Sequence, residues 1–164
     1  MQTSISLRPP RHRVQRRAVL WWTLRSLLLT VVLAGALATV YLLWDASRPW
    51  TGPAALAVAA LGLAHTAAVP SWRYAVHRWE TSADAVYASS GWFVRDWRIA
   101  PISRIQTVDT TRGPLEQLLG LSTLVVTTAS SSGAVYIRGL APADATAAAD
   151  RLAEITQDTP GDAT

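Results

Sequence analysis

The sequence has no cysteine and no lysine, and only one methionine and one phenylalanine in 164 residues. Without cysteine, disulfides, thiolate catalysis and cysteine-ligated zinc are excluded, and the redox compartment leaves no trace. All 15 basic residues are therefore Arg, which together with abundant Ala reads as compositional bias. Histidine is scarce too: His12, His65 and His77 are all there is, and no pair has the i, i+4 spacing of a helical metal site. His77 and Asp84 could be imagined in a triad with a serine, but no G-x-S-x-G elbow presents a nucleophile. Neither a Walker loop nor G-x-G-x-x-G occurs, so nucleotide binding has no support. The expectation is a chain with no enzyme activity, no cofactor and no metal.

Charge is missing from two long stretches. Residues 26–44 carry none in 19 positions and residues 51–72 none in 22, with His65 the one titratable group. As helices these would be roughly 28 and 33 Å long, against a hydrocarbon core of about 30 Å. The reading is a basic tail at 1–17, a first span at 18–44, a short extracytoplasmic linker at 45–50 and a second span at 51–72. Arg8, Arg11, Arg13, Arg16 and Arg17 precede the first span and Arg73 and Arg78 follow the second. The linker holds only Asp45 and Arg48, so the positive-inside rule puts both termini in the cytoplasm. Trp21, Trp22, Tyr41, Trp44, Trp50, Trp72, Tyr74 and Trp79 sit where interfacial aromatic belts are expected.

An Arg-rich start followed by Ala34-Gly35-Ala36 also resembles a signal peptide, but the apolar run is too long and a second follows at once. Pro49 and Gly52-Pro53 mark the turn of a helical hairpin. Gly35 with Thr39, Ala55 with Ala59, and Ala60 with Ala64 have the small-residue spacing that permits close helix packing or self-association. The Arg cluster is explained by topology, leaving no need for nucleic acid. His65, without a charged partner in either span, is read as neutral and packed.

Beyond Trp79 the periodicity changes. Residues 85–88 lead through Ser89-Ser90-Gly91, a turn signal, into a strand at 92–99 that mixes aromatic and charged side chains. Pro101 ends that ladder, and residues 105–110 alternate apolar with polar as a third strand. Gly113-Pro114 opens a short helical turn that stops at Gly120. Residues 121–128 and 134–138 form a second hairpin around a loop at 130–133. Pro142 and Asp144 begin a last helix, where Ala141, Ala145, Ala148, Leu152 and Ile155 make one apolar stripe.

These residues carry a resemblance. The Gly91-Trp92-Phe93 segment, the run from Pro101 through Val108, the block from Arg112 through Leu124 and Ile137-Arg138-Gly139-Leu140 resemble the bacterial pleckstrin-homology-like (PH) domain of the YdbS-like membrane proteins. The block from Arg112 to Leu124 is the most specific part. The resemblance implies an α+β membrane protein: a two-helix transmembrane hairpin followed, at residues 78–157, by a small PH-like antiparallel β-barrel or sandwich capped by a C-terminal helix, with a disordered tail at 158–164. It brings no catalytic residues. It does imply a partner, a longer membrane protein with repeated copies of the domain.

Two functions follow as expectations. The first is a membrane-anchored, non-catalytic interaction module, a subunit or scaffold of a bacterial envelope complex, docking a protein through a strand edge or the groove beside the last helix. The second is recognition of anionic lipid by a basic β surface made of Arg95, Arg98, Arg104, Arg112 and Arg138.

Overall fold

The computed structural model describes residues 10–129 and 133–158. The expected loop at 130–133 and tail at 158–164 therefore lie outside the described residues, apart from Gly133 and Asp158. The chain divides into two compact units, Val19–Trp72 and a second formed from Arg73 onward together with the described residues up to Ala18.

The first unit is helical. Helix α1 spans Arg17–Leu43 and α2 spans Arg48–Val76, joined by Trp44 and a 3-10 turn, Asp45–Ser47. Both are long and apolar enough to cross a membrane. Thr23, Thr30 and Thr39 each donate to the carbonyl four residues earlier at 2.9 Å, so their hydroxyls need no water. The turn is tied by an Asp45–Arg48 ion pair at 2.7 Å and by Arg48 Nε donating to the Tyr41 carbonyl at 3.2 Å. Helix α2 begins three residues before the expected span, taking in half of the expected linker. Pro49 in its first turn has no N–H to leave unsatisfied. It also continues past residue 72. The helices approach closely where Gly62 meets Thr30, since a Cβ on Gly62 would overlap that side chain, whereas Gly35 has nothing within 4 Å.

The second unit is a pair of antiparallel sheets with a covering helix. Strands β1 (His12–Arg13), β2 (Arg78–Thr81), β3 (Ala85–Gly91) and β4 (Arg95–Pro101) form one sheet in that order. Strands β5 (Ile105–Thr111), β6 (Ser122–Thr128) and β7 (Val135–Leu140) form the other, with α3 (Pro114–Leu119) between β5 and β6. Strand β7 lies against β3 and β4, and α4 (Pro142–Asp158) lies over β5, β6 and the 3-10 turn Ile102–Arg104. This is the expected α+β, PH-like architecture. Its core holds Val86, Leu121, Leu124, Val126, Leu140 and Leu152, all fully buried. Ala145, Ala148 and Leu152 are buried on α4, the centre of the expected stripe.

Three local features differ from expectation. The first hairpin does not turn at Ser89-Ser90-Gly91. Those residues continue β3, and Trp92, Phe93 and Val94 make the turn. Gly91 adopts φ +107, and any side chain there would collide with the Val94 carbonyl, so the glycine sets the turn from its base.

The basic tail is not only a tail either. His12 and Arg13 pair with Trp79 and Arg78, the Gln15 N–H donates to the Gly139 carbonyl at 2.8 Å, and Ala18 is fully buried. A two-residue strand is too short to leave a period in the sequence. Gly139 receives this segment: it has φ +80, sits where the β6–β7 register slips, and a Cβ would come within 2.7 Å of the Ala18 Cβ.

The third concerns Glu116, since a carboxylate is ordinarily exposed. Its side chain is buried, with Oε2 accepting from the Gly113 N–H at 2.7 Å and Oε1 from the Thr123 hydroxyl at 2.6 Å. Arg112 Nε donates to the Leu121 carbonyl at 3.0 Å across the same block. The segment from Arg112 to Leu124 is thus a stitched unit that fixes α3 against the start of β6. Glu116→Ala should leave two donors without an acceptor and cost roughly 2–3 kcal/mol of domain stability, with Glu116→Gln costing less. Denaturant unfolding in mild detergent, followed by near-ultraviolet circular dichroism, reads the difference.

Candidate functional site

The five arginines expected to form a basic surface are exposed but are not gathered on one face. Side chains alternate along a strand, so Arg95 and Arg98 point to opposite faces of β4. Arg98 donates to the Ala134 carbonyl at 3.2 Å. Arg104 lies beyond the far end of β4, in the 3-10 turn. Arg112 holds the Leu121 carbonyl, as above. Arg138 lies over the Tyr136 ring at 4.9 Å. Three of the five thus make local contacts within the fold, while Arg95 lines a cleft.

That cleft, about 260 Å³, is lined by Ala75, Val76, Arg78, Ser89, Arg95 and Trp97. Its geometry follows from register. Gly91 pairs with Arg95 and Ser89 with Trp97, so Arg95, Trp97 and Ser89 share one sheet face. Arg78 pairs with Ser89 from the other side. The Ser89 hydroxyl donates to the Val76 carbonyl at 3.2 Å, which sets the last turn of α2 against this face. Two guanidinium groups and a half-exposed indole therefore line one opening. In the sequence Arg78 marks only topology, and the period-2 spacing of Arg95 and Trp97 is the signal available for the rest.

A second, larger groove of about 430 Å³ runs between the β1–β2 edge and α4, lined by His12, Arg13, Trp79, Thr81, Asp144, Ala147, Ala148 and Arg151. The His12 ring tilts against Trp79 with centroids 5.5 Å apart, and the Arg13 guanidinium sits 6.0 Å from the Tyr74 ring. Asp144, Ala147 and Arg151 recur at helical spacing, so one side of α4 forms the wall. Strand β1 pairs with Arg78 and Trp79; beyond it Glu80 accepts from the Arg11 N–H at 3.3 Å and faces the Arg11 guanidinium at 4.0 Å, and Thr81, the last residue of β2, lines the groove. Among the described residues no group of three or more His, Asp or Glu could hold a metal ion.

This sheet pair with a covering helix has a known counterpart. The profile of the bacterial PH domain family matches residues 23–156. The chain belongs to the bacterial PH domain family. It is also similar to the transmembrane protein YdbS of Bacillus subtilis (strain 168), 28% identical over 156 residues that cover 91% of this chain and 96% of YdbS. No solved structure matches the chain. The match takes in both long apolar helices as well as the sheets, so the protein is a membrane protein with a PH-like domain.

His77 stands between the last turn of α2 and the PH domain. Its Nδ1 lies 2.9 Å from the Arg73 carbonyl. Burial pushes the imidazole down to about 4; the bond to the Arg73 carbonyl opposes this, and the positive charges of Arg73 and Arg138 add to it. The fold therefore holds His77 neutral. Its contribution to stability is complete above pH 6.5, the ordinary value, and is lost as the pH falls toward 4, because the unfolded chain binds the proton first. His77→Gln, which retains a donor for the Arg73 carbonyl, should flatten the fall in melting temperature between those two values. Thermal scans of both proteins across that range measure it.

Proposed function

We propose that this protein is a non-catalytic docking module of a bacterial envelope complex, anchored in the cytoplasmic membrane by two spans with the PH domain and both termini in the cytoplasm. The distribution of arginine around the two helices supports the orientation. The pairing of β1 with β2 supports an even number of crossings, because residues on either side of the helical pair share one sheet. The observation that carries the docking role is the groove between the β2 edge and α4. The end of β2 at Thr81 lies along it beyond the last β1 pair, where an extended segment can run beside the strand and α4 with its side chains in the groove. Arg13 and Arg151 against Asp144 in the lining favour an acidic segment. A second membrane protein carrying repeated PH-like domains is the partner in this reading, and tethering both chains in one bilayer raises their effective concentration.

A second reading, recognition of anionic lipid headgroups, is favoured by the Arg78, Arg95 and Trp97 cleft beside the last turn of α2. It moves the expected basic surface away from Arg98, Arg104, Arg112 and Arg138.

Both readings have direct tests in the full-length chain. For the groove, p-benzoylphenylalanine in place of Ala147 should photocrosslink in native membranes to a mappable acidic stretch of another membrane protein. Arg151→Glu should reduce that adduct, and charge reversal in the partner should restore it. Adducts only to lipid, or adducts indifferent to Arg151, would falsify the docking role. For the cleft, Arg78→Ala with Arg95→Ala should lower retention of phosphatidylglycerol in mixed micelles by about fivefold per Arg at low salt. Arg98→Ala with Arg104→Ala should leave it unchanged. Equal loss in both pairs would rule out a defined headgroup site.

A further inference from the structure

The tip of the β3–β4 hairpin is made of Trp92, Phe93 and Val94, which are 39%, 81% and 70% exposed. Hairpin tips are ordinarily built from Gly, Asn, Asp, Ser and Pro. Here three consecutive large apolar side chains project, with the Trp92 and Phe93 rings tilted against each other at 6.1 Å. Half-exposed Trp97 and the Arg78 and Arg95 cleft lie immediately behind them. The turn itself is set by Gly91, and Phe93 and Val94 project farthest from it. Contiguous exposed apolar groups of this kind mark a contact surface.

The register says what that surface meets. Strand β2 starts two residues after α2 ends, and β3 runs back beside it until Ser89 stands level with Arg78 and bonds the Val76 carbonyl. The hairpin then continues past that level for Ser90 and Gly91 before it turns. At about 3.3 Å per residue the tip lies roughly 10 Å beyond Ser89. Helix α2 has 29 residues, about 43 Å at 1.5 Å per residue, which exceeds the hydrocarbon thickness of about 30 Å. Its last turn, from Arg73, thus falls at headgroup depth, where Arg and aromatic residues anchor. An apolar tip with tryptophan at its rim and arginine behind it, starting from that depth, has the chemistry of an interfacial insertion.

We propose that the Trp92-Phe93-Val94 tip enters the lipid leaflet from which α2 emerges, giving the PH domain a second attachment to the bilayer. The insertion depends on apolar contact and not on headgroup charge, so it is independent of both the groove and the cleft readings. The absence of cysteine makes the test simple. Val94→Cys, labelled with the fluorophore NBD in the full-length chain, is reconstituted in vesicles of phosphatidylcholine alone, with labelled Ser103→Cys as the reference at an exposed site. The Val94 label should emit to the blue of the Ser103 label, be quenched by lipids carrying a shallow nitroxide, and resist aqueous iodide. Adding Trp92→Asp and Phe93→Asp should return it to the behaviour of the Ser103 label. A Val94 label as open to iodide as Ser103 overturns the proposal. So does a blue shift without lipid quenching, which would mean contact with protein. If the double aspartate variant misfolds, the Val94 and Ser103 comparison alone decides.

Discussion

One residue, His77, separates the end of α2 from the start of β2, and the arrangement of the PH-domain unit depends on that joint. There is no linker in which β2 could drift from the end of the helix. The last turn of α2 from Arg73 belongs to the same compact unit as the sheets, held by Ser89 and His77 through the Val76 and Arg73 carbonyls. Burying a histidine there favours its neutral form, so the joint carries no extra positive charge beside Arg73 and Arg138. Strand β2 is thereby fixed at its origin, and the position of β3, its tip and the cleft follow by register.

The arginines divide by what surrounds them, not by their count. Arg98 and Arg112 donate to backbone carbonyls, Arg138 lies over a tyrosine ring and Arg48 closes the helical turn. Such guanidinium groups make local contacts and contribute rigidity. Arg78 and Arg95 instead line an opening with an indole. Net charge from the sequence treats all of these alike, and only the sheet register separates them.

Much of the fold was legible because its signals are periodic or conformational. Two long uncharged runs, the alternation around residues 105–110 and the Ala145, Ala148, Leu152 stripe follow from burial at fixed periods. The block from Arg112 to Leu124 was recognisable as a pattern, and the structure supplies its physical reason in the bonds from Gly113 and Thr123 to buried Glu116. Three things were not legible. Ser89-Ser90-Gly91 has turn composition, but the turn lies one step later, because Gly91 serves as its base. Strand β1 is two residues long and pairs with a strand far away in sequence, so no local pattern encodes it. The division of the arginines required knowing which strand neighbours which.

The pairing of β1 with β2 has a consequence for biogenesis. The first strand of the domain leaves the ribosome before either apolar helix, and its partner strand leaves after both. Sheet closure must therefore wait until the intervening helices have found their place. If only one of them crossed the membrane, His12 and Trp79 would face different compartments, Ala18 could not reach Gly139, and the domain would lack its outer strand. In the proposed two-span topology a completed sheet is then a record of correct insertion.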